Sequence, residues 1–350
     1  MAADPSQVSS PPYRRWIHLL CVAFVLVTFL VLNRGGQVTS RGAGLAVPDF
    51  PRVYGHNMIF YPVALWRGGI YWEHTHRLVA AMGGCMAIVV AYVFRSTQRH
   101  RPWLQWYGVA LLAAYITQGL MGGYRVTELS VVAAMAHGVL GQLILCGTVI
   151  AAAATSRHWI DGPKRGEASR SGKTLLQRRC SLLLAALLLQ LVLGVFVRHG
   201  GAALAIPDFP LAYGALVPPF AAEVIETEYD ERVPYDADHA GIYPTTLQVA
   251  VHWSHRLGAI LVIVAATWTL LGVYRHAATV SAIVKPAITV ALLVVPQAVL
   301  GAWVVLSGHQ VDTATVHHAV GAALLAVAVL LLIRVSLLLP SPDRPVPTFP

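Results

Sequence analysis

Apolar residues fill this chain in eight long blocks separated by short polar segments, near 16–33, 71–94, 103–122, 131–154, 180–197, 248–273, 281–306 and 313–338. A helix needs about 20 residues to cross a hydrocarbon core of roughly 30 Å, so each block predicts a membrane-spanning helix. No small-residue cleavage site follows the first block before its polar loop, so it reads as an anchor and not as a removed signal. Composition agrees: 56% of the 350 residues are hydrophobic, 12% are charged, and the mean hydropathy is +0.61. A chain this apolar excludes the ordinary soluble classes.

Charge then orients the blocks. The formal net charge of +9 would suit a nucleic-acid partner if the cations formed one patch. They alternate between segments instead. Sixteen fall at the termini and in the segments joining blocks two to three, four to five and six to seven: Arg14, Arg15, Arg95, Arg99, Arg101, Arg157, Lys164, Arg165, Arg170, Lys173, Arg178, Arg179, Arg275, Lys285, Arg334 and Arg344. Seven lie in the opposite loops. The positive-inside rule therefore predicts an inner-membrane protein with both termini cytoplasmic, lipid around it and no nucleic acid. Cys21, Cys85, Cys146 and Cys180 fall in or at the ends of blocks, which predicts packing and no disulfide framework in the outer loops.

The chain also repeats itself. Gly42-Ala-Gly-Leu-Ala-Val-Pro-Asp-Phe-Pro-Arg-Val-Tyr-Gly55 follows the first block, and Gly201-Ala-Ala-Leu-Ala-Ile-Pro-Asp-Phe-Pro-Leu-Ala-Tyr-Gly214 follows the fifth, with ten of fourteen positions identical. Thr75-His76-Arg77-Leu78 aligns with Ser254-His255-Arg256-Leu257, and Gln118-Gly-Leu-Met-Gly122 with Gln297-Ala-Val-Leu-Gly301. Four blocks per copy give both copies the same direction. The predicted fold is an all-α membrane protein whose eight helices form two parallel-repeat four-helix bundles about a pseudo-twofold axis along the membrane normal. Residues 1–154 make the first half, 155–179 a polar linker, 180–340 the second half and 341–350 a tail. In the repeated loops, proline, aspartate and glycine read as turn formers, with a lid over each bundle as the functional alternative.

Four histidines stand at matching depth, about four to seven residues into blocks two, four, six and eight, which is roughly 6 to 11 Å below one membrane face. They are His76, His137, His255 and His317. An imidazole in a bilayer needs a partner, and two on facing helices suit the two axial positions of a haem iron. Zinc fits less well, because it takes three or four clustered ligands. His318 is an alternative to its neighbour, although His317-x-x-x-Gly321 matches His137-x-x-x-Gly141. Arg77 and Arg256 follow the first histidine of each half and would either meet backbone carbonyls or clamp a haem propionate. Glu73 lies one turn before His76, where the second copy has His252. It is the candidate catalytic carboxylate, able to stabilise positive charge or accept a proton; the alternative is a charge at a helix start.

Glu73-x-x-His76-Arg77, His255-Arg256, His137, His317 and the Pro-Asp-Phe-Pro loops together resemble the haem A synthase family, also called CtaA/Cox15, over nearly all eight blocks. The resemblance implies oxidation of the C8 methyl group of haem O to a formyl group by successive hydroxylations, with water as the oxygen source. It implies haem O held by His76 and His137, catalysis by Glu73, and a haem b cofactor on His255 and His317. It also implies haem O synthase and a membrane electron acceptor as partners. Many family members carry a cysteine pair in the first outer loop; Val47 and Val53 stand about there in this chain. A second reading is a dihaem b-type electron-transfer protein, and a third is a transporter without cofactor, which the histidines disfavour. The acidic run from Glu223 to Asp238 reads as a solvated loop, with a docking surface as its alternative.

Overall fold

The computed structural model describes residues 13–161, 172–233 and 243–338. These contain ten α-helices and no β-strand: α1 (Arg15–Ser40), α2 (Gly68–Thr97), α3 (Pro102–Thr127), α4 (Val131–Ala154), α5 (Arg157–Ile160), α6 (Lys173–His199), α7 (Ala222–Arg232), α8 (Thr246–Ala277), α9 (Ser281–Leu306) and α10 (Val311–Leu338). Lys164, Arg165 and Arg170 of the linker, Asp236 and Asp238 of the acidic run, and the tail after 340 lie outside the described residues.

Eight helices reach spanning length, but seven are also apolar enough for a span. The exception is α3, expected to be the third span. It is 26 residues long yet carries Gln105, Gln118 and Arg125 among its aromatic and glycine residues. Its polar atoms point at neighbours: the Tyr107 hydroxyl donates to the Gly147 carbonyl of α4 at 2.8 Å, and Tyr115 pairs with Thr28 of α1 at 2.5 Å. Helix-to-helix hydrogen bonds of this kind replace the packing drive that hydrocarbon cannot supply.

Each of α1 to α4 packs on the next, and α1 closes against α4; α6, α8, α9 and α10 pack in the same cyclic order. Between the two groups, α10 lies against α1 and α4, and α4 against α6. Close approach needs small residues. A β-carbon on Gly108 of α3 would sit 3.1 Å from the Ala91 backbone of α2. Away from the loops, Phe24, Val90, Phe94, Leu104 and Ala154 form one buried cluster, and Leu176, Cys180, Val273, Ile283 and Leu331 form another. Leu26, Leu30, Ile88, Leu182, Leu189, Leu292 and Val299 point outward, an apolar surface that belongs against lipid chains. Cys85 joins that outward face, whereas Cys21 and Cys180 are buried; all four thiols are free.

The acidic run departs from expectation. Residues 222–232 form α7, which places Ile225 at 0% exposure among Ala205, Ile206, Tyr213 and Val249. One buried isoleucine fixes the helix while its carboxylates stay out, and Glu228 pairs with Arg232 one turn on.

Candidate functional site

The repeated loops are built identically. After α1 and α6, Gly42 and Gly201 take positive φ, and the amides of Ala43 and Ala202 return to the carbonyls of Val38 and Val197, stopping each helix. Asp49 then accepts the amides of Tyr54 and Gly55, and Asp208 those of Tyr213 and Gly214. Tyr54 and Gly55, like Tyr213 and Gly214, have positive φ, which turns consecutive amides toward one anion. The tyrosine hydroxyls close each turn on the carbonyls of Ala46 and Ala205, at 2.6 and 2.5 Å.

Arginine ties each loop to the helix beneath. Arg77 donates to the carbonyls of Val47, Asp49 and Arg52, at 2.7 to 3.1 Å. Arg256 donates to those of Ile206, Asp208 and Leu211. The carbonyl alternative is therefore what the geometry displays for both cations. Arg77 also forms a buried ion pair with Glu73 at 2.6 Å, and the other Glu73 oxygen accepts the Val47 amide at 2.9 Å. In the second copy, His252 Nδ1 accepts the Ile206 amide at 3.3 Å while Arg256 donates to its Nε2 at 3.4 Å. Glu73 and His252 thus make the same two connections with different chemistry.

Below the loops stand the histidines. His76 and His255 are the ninth and tenth residues of α2 and α8, and His137 and His317 each the seventh of α4 and α10. His76 lies within electrostatic range of His137, as His255 does of His317. A glycine on the adjacent helix makes room for every ring: a β-carbon on Gly35, Gly122, Gly194 or Gly301 would stand 3.1 Å from Cε1 of His76, His137, His255 or His317 respectively. All four Nδ1 atoms are buried and make no hydrogen bond of good geometry among the described residues, and each ring lies beside the backbone carbonyl one turn before its glycine, that of Val31, Gln118, Gln190 or Gln297. Imidazoles buried in a spanning bundle are costly unless something engages the ring, and a haem between two of them would do so. Among the described residues no three His, Cys, Asp or Glu side chains converge as a bare-ion site requires.

His317 and His318 part company. His317 faces α9, where Gln297 Nε2 lies 3.4 Å from its Nε2. His318 faces the other group of helices, 3.2 Å from Gln142 Nε2 of α4 and packed against Gly36 of α1. The pairing that mirrors His76 with His137 is His255 with His317.

Three features escaped the sequence reading. The glutamines are one: Gln118 donates to the His137 carbonyl at 3.0 Å and Gln190 to that of His255 at 2.9 Å. Gln118 and Gln297 marked the repeat, but their reach toward the histidine helices was not read from it. His74 is the second, the seventh residue of α2, at 0% exposure and tucked edge-on against Trp66. Arg125, at the loop end of α3, is the third; it lies within electrostatic range of Glu73, His76 and His137. Extending the Gln118–Gly122 alignment by three residues sets Arg125 against Val304, a signal that was present in the sequence.

The sequence matches the family described as COX15-CtaA, cytochrome oxidase assembly protein, over residues 14–329. Similar proteins include Heme A synthase of Chelativorans sp. (strain BNC1), 25% identical over 90% of this chain and 90% of that protein. Heme A synthase of Allorhizobium ampelinum is 26% identical over 87% of this chain and 86% of its own length. Heme A synthase of Caulobacter vibrioides is 27% identical over 74% and 71%.

Proposed function

This chain belongs to the COX15-CtaA family of cytochrome oxidase assembly proteins, and from that premise we propose that it is a haem A synthase of the cell membrane. The observation that carries the proposal is the pair of glycine-cradled sites, each bringing two buried imidazoles together, one in each group of four helices. In this reading α3 serves as the eighth span, the two groups are related by a pseudo-twofold axis along the membrane normal, and both termini are cytoplasmic.

The halves divide the work. His76 and His137 hold the substrate, haem O, and His255 and His317 hold haem b, with His317 preferred to His318 for the side it faces. Haem b supplies electron transfer when bound. Net conversion of a methyl group and one water to a formyl group releases four protons and four electrons, which leave for a membrane acceptor. Glu73, the carboxylate held against the substrate half by Arg77 and the Val47 amide, is suited to steady positive charge at the reacting carbon or to take up a released proton. The loops held by Arg77 and Arg256 roof the two sites and keep bulk water out. Haem O synthase, as the source of the substrate, is the expected partner.

Expression in a host that accumulates haem O, followed by extraction of membrane haem, tests the proposal. Haem A should appear; haem O and haem B alone would overturn it and leave the dihaem electron carrier.

A further inference from the structure

One cation at the loop end of the His76 and His137 site has no carboxylate of its own. Arg77 and Arg125 are both close to Glu73, but Arg77 occupies one of its oxygens and the Val47 amide the other, and the neighbouring Asp49 carboxylate is taken by the amides of Tyr54 and Gly55. Arg125 is half-buried and makes no hydrogen bond or ion pair among the described residues. Three arginines inside the helices or capping them at that end are engaged: Arg34 with Gln37, Arg41 with Asp312, and Arg198 with the Gly36 carbonyl and Ser40.

Its placement is specific. Arg125 follows Gly122 by three residues on α3, so its guanidinium springs from a point about 4.5 Å nearer the loops than the glycine that cradles His137. It reaches the roof loop at Gly44, where a β-carbon would collide with the guanidinium, so the absence of a side chain at 44 is what admits it. In the second copy the corresponding residue is Val304, an apolar side chain. Glu73 and Arg125 are thus both confined to the first copy, and both lie at the loop end of its histidine pair.

We propose that Arg125 binds a propionate carboxylate of the substrate porphyrin and so sets its orientation in the first site. The inference rests on reading that site as the substrate site. A guanidinium fork matches a carboxylate in two parallel hydrogen bonds, which fixes rotation about the iron axis as well as affinity. Arg77, next to the iron-ligand candidate, spends all four of its terminal N–H donors on three loop carbonyls and Glu73 and keeps only its Nε–H, which cannot form the two-bond fork. At the second site Val304 stands in the place of Arg125, and the arginine near His317, Arg198, is committed to the Gly36 carbonyl and Ser40, so the anchor separates a ligand that must enter in one orientation and leave from a cofactor that stays.

The test is a binding titration of the full-length protein, carrying its second-site haem, with haem O and with haem O dimethyl ester, followed by optical difference spectra. Wild type should bind the ester about 10- to 100-fold more weakly than haem O, the loss expected for a hydrogen-bonded charge. Arg125→Ala should weaken haem O by a similar factor while leaving the ester unaffected, and Arg125→Lys should recover part of the loss. Equal binding of haem O by Arg125→Ala and wild type would overturn the inference and leave the substrate reading standing. So would failure of wild type to distinguish acid from ester, a comparison that holds even if a variant misfolds, as shown by loss of the second-site haem spectrum. No uptake of haem O by wild type would overturn the substrate reading itself and the inference with it.

Discussion

At the scale of single residues, the most informative position is 73. Its carboxylate has a bracing duty, joining Arg77 to the Val47 amide, and removing it leaves a buried cation unpaired at a cost of about 3–5 kcal/mol. Glu73→Ala therefore mixes lost chemistry with lost structure. The second copy supplies a cleaner change, because His252 makes the equivalent two connections. Glu73→His should keep the loop closed and the bound haem b spectrum intact while conversion falls roughly 100-fold or more, the usual share of a proton-transfer group. Wild-type conversion by that variant would remove the carboxylate from the chemistry. Asp49 works on a different footing. Burial opposes its ionisation, but the amides of Gly55 and Tyr54 and the nearby Arg77 charge outweigh this and hold its carboxyl below the usual range. A depressed folded-state value stabilises the loop above the ordinary carboxylate pKa of about 3.9 and loses that contribution as pH falls through the folded value. Protection of the Tyr54 and Gly55 amides against hydrogen exchange should accordingly stay level from neutral pH down to about 4 and fail only in stronger acid; early loss near pH 5 would show that the carboxylate does not hold the turn.

At the scale of elements, the histidine cradles are the design feature shared by both copies. A β-carbon on Gly301 or Gly122 forces the facing imidazole to give by a few tenths of an ångström, which in a packed interior costs about 1–3 kcal/mol. Gly301→Ala should weaken retention of haem b on washing, whereas Gly122→Ala should leave that haem in place and depress conversion. The reverse pattern would exchange the assignments of the two sites. The elements themselves were largely legible: blocks at 131–154 and 281–306 coincide with α4 and α9 to the residue, because continuous apolar runs leave few alternatives in a bilayer. What hydropathy hid is physical in origin. Helix α7 carries Glu223, Glu226, Glu228, Asp230 and Glu231 and owes its place to Ile225, one side chain that a charge pattern obscures. Helix α3 read as another span because Gln105 and Gln118 are too far apart to break the apolar run, and Arg125 lies beyond the end of that run at residue 122. The loop was legible as turns, with a lid as the alternative, but its tie to Arg77 was not, since the carbonyls that Arg77 grips carry no signature in the side-chain alphabet. Val47 and Val53, which stand about where the family resemblance led us to expect cysteines, are both fully buried with Tyr61, so apolar packing fastens the loop in this chain.

At the scale of the whole molecule, the two groups of helices meet along a seam that is polar where it matters. Arg198 of α6 crosses to the Gly36 carbonyl and Ser40 of α1, Gln142 of α4 meets His318 of α10, and Arg41 pairs with Asp312. Gln142 lies five residues beyond His137, and His318 adjoins His317, so this bridge links the two helices that carry the later histidine of each site. The copies are thus joined by polar contacts, and on the proposed assignment each holds its own haem, which substitutions at the four histidines should reveal. His76→Ala removes a ligand from the substrate site alone, so the purified protein should retain its haem b spectrum while haem O uptake and conversion are lost. His255→Ala removes a ligand from the cofactor site, so haem b should be lost, and conversion should stop as well because the electrons released at the first site have no route out. Haem O uptake should survive that second change, since His76, His137 and the roof over them are untouched. If His255→Ala spared haem b while His76→Ala removed it, the division of labour between the halves would be inverted, and the asymmetry at Glu73 and Arg125 would mark the cofactor chamber instead.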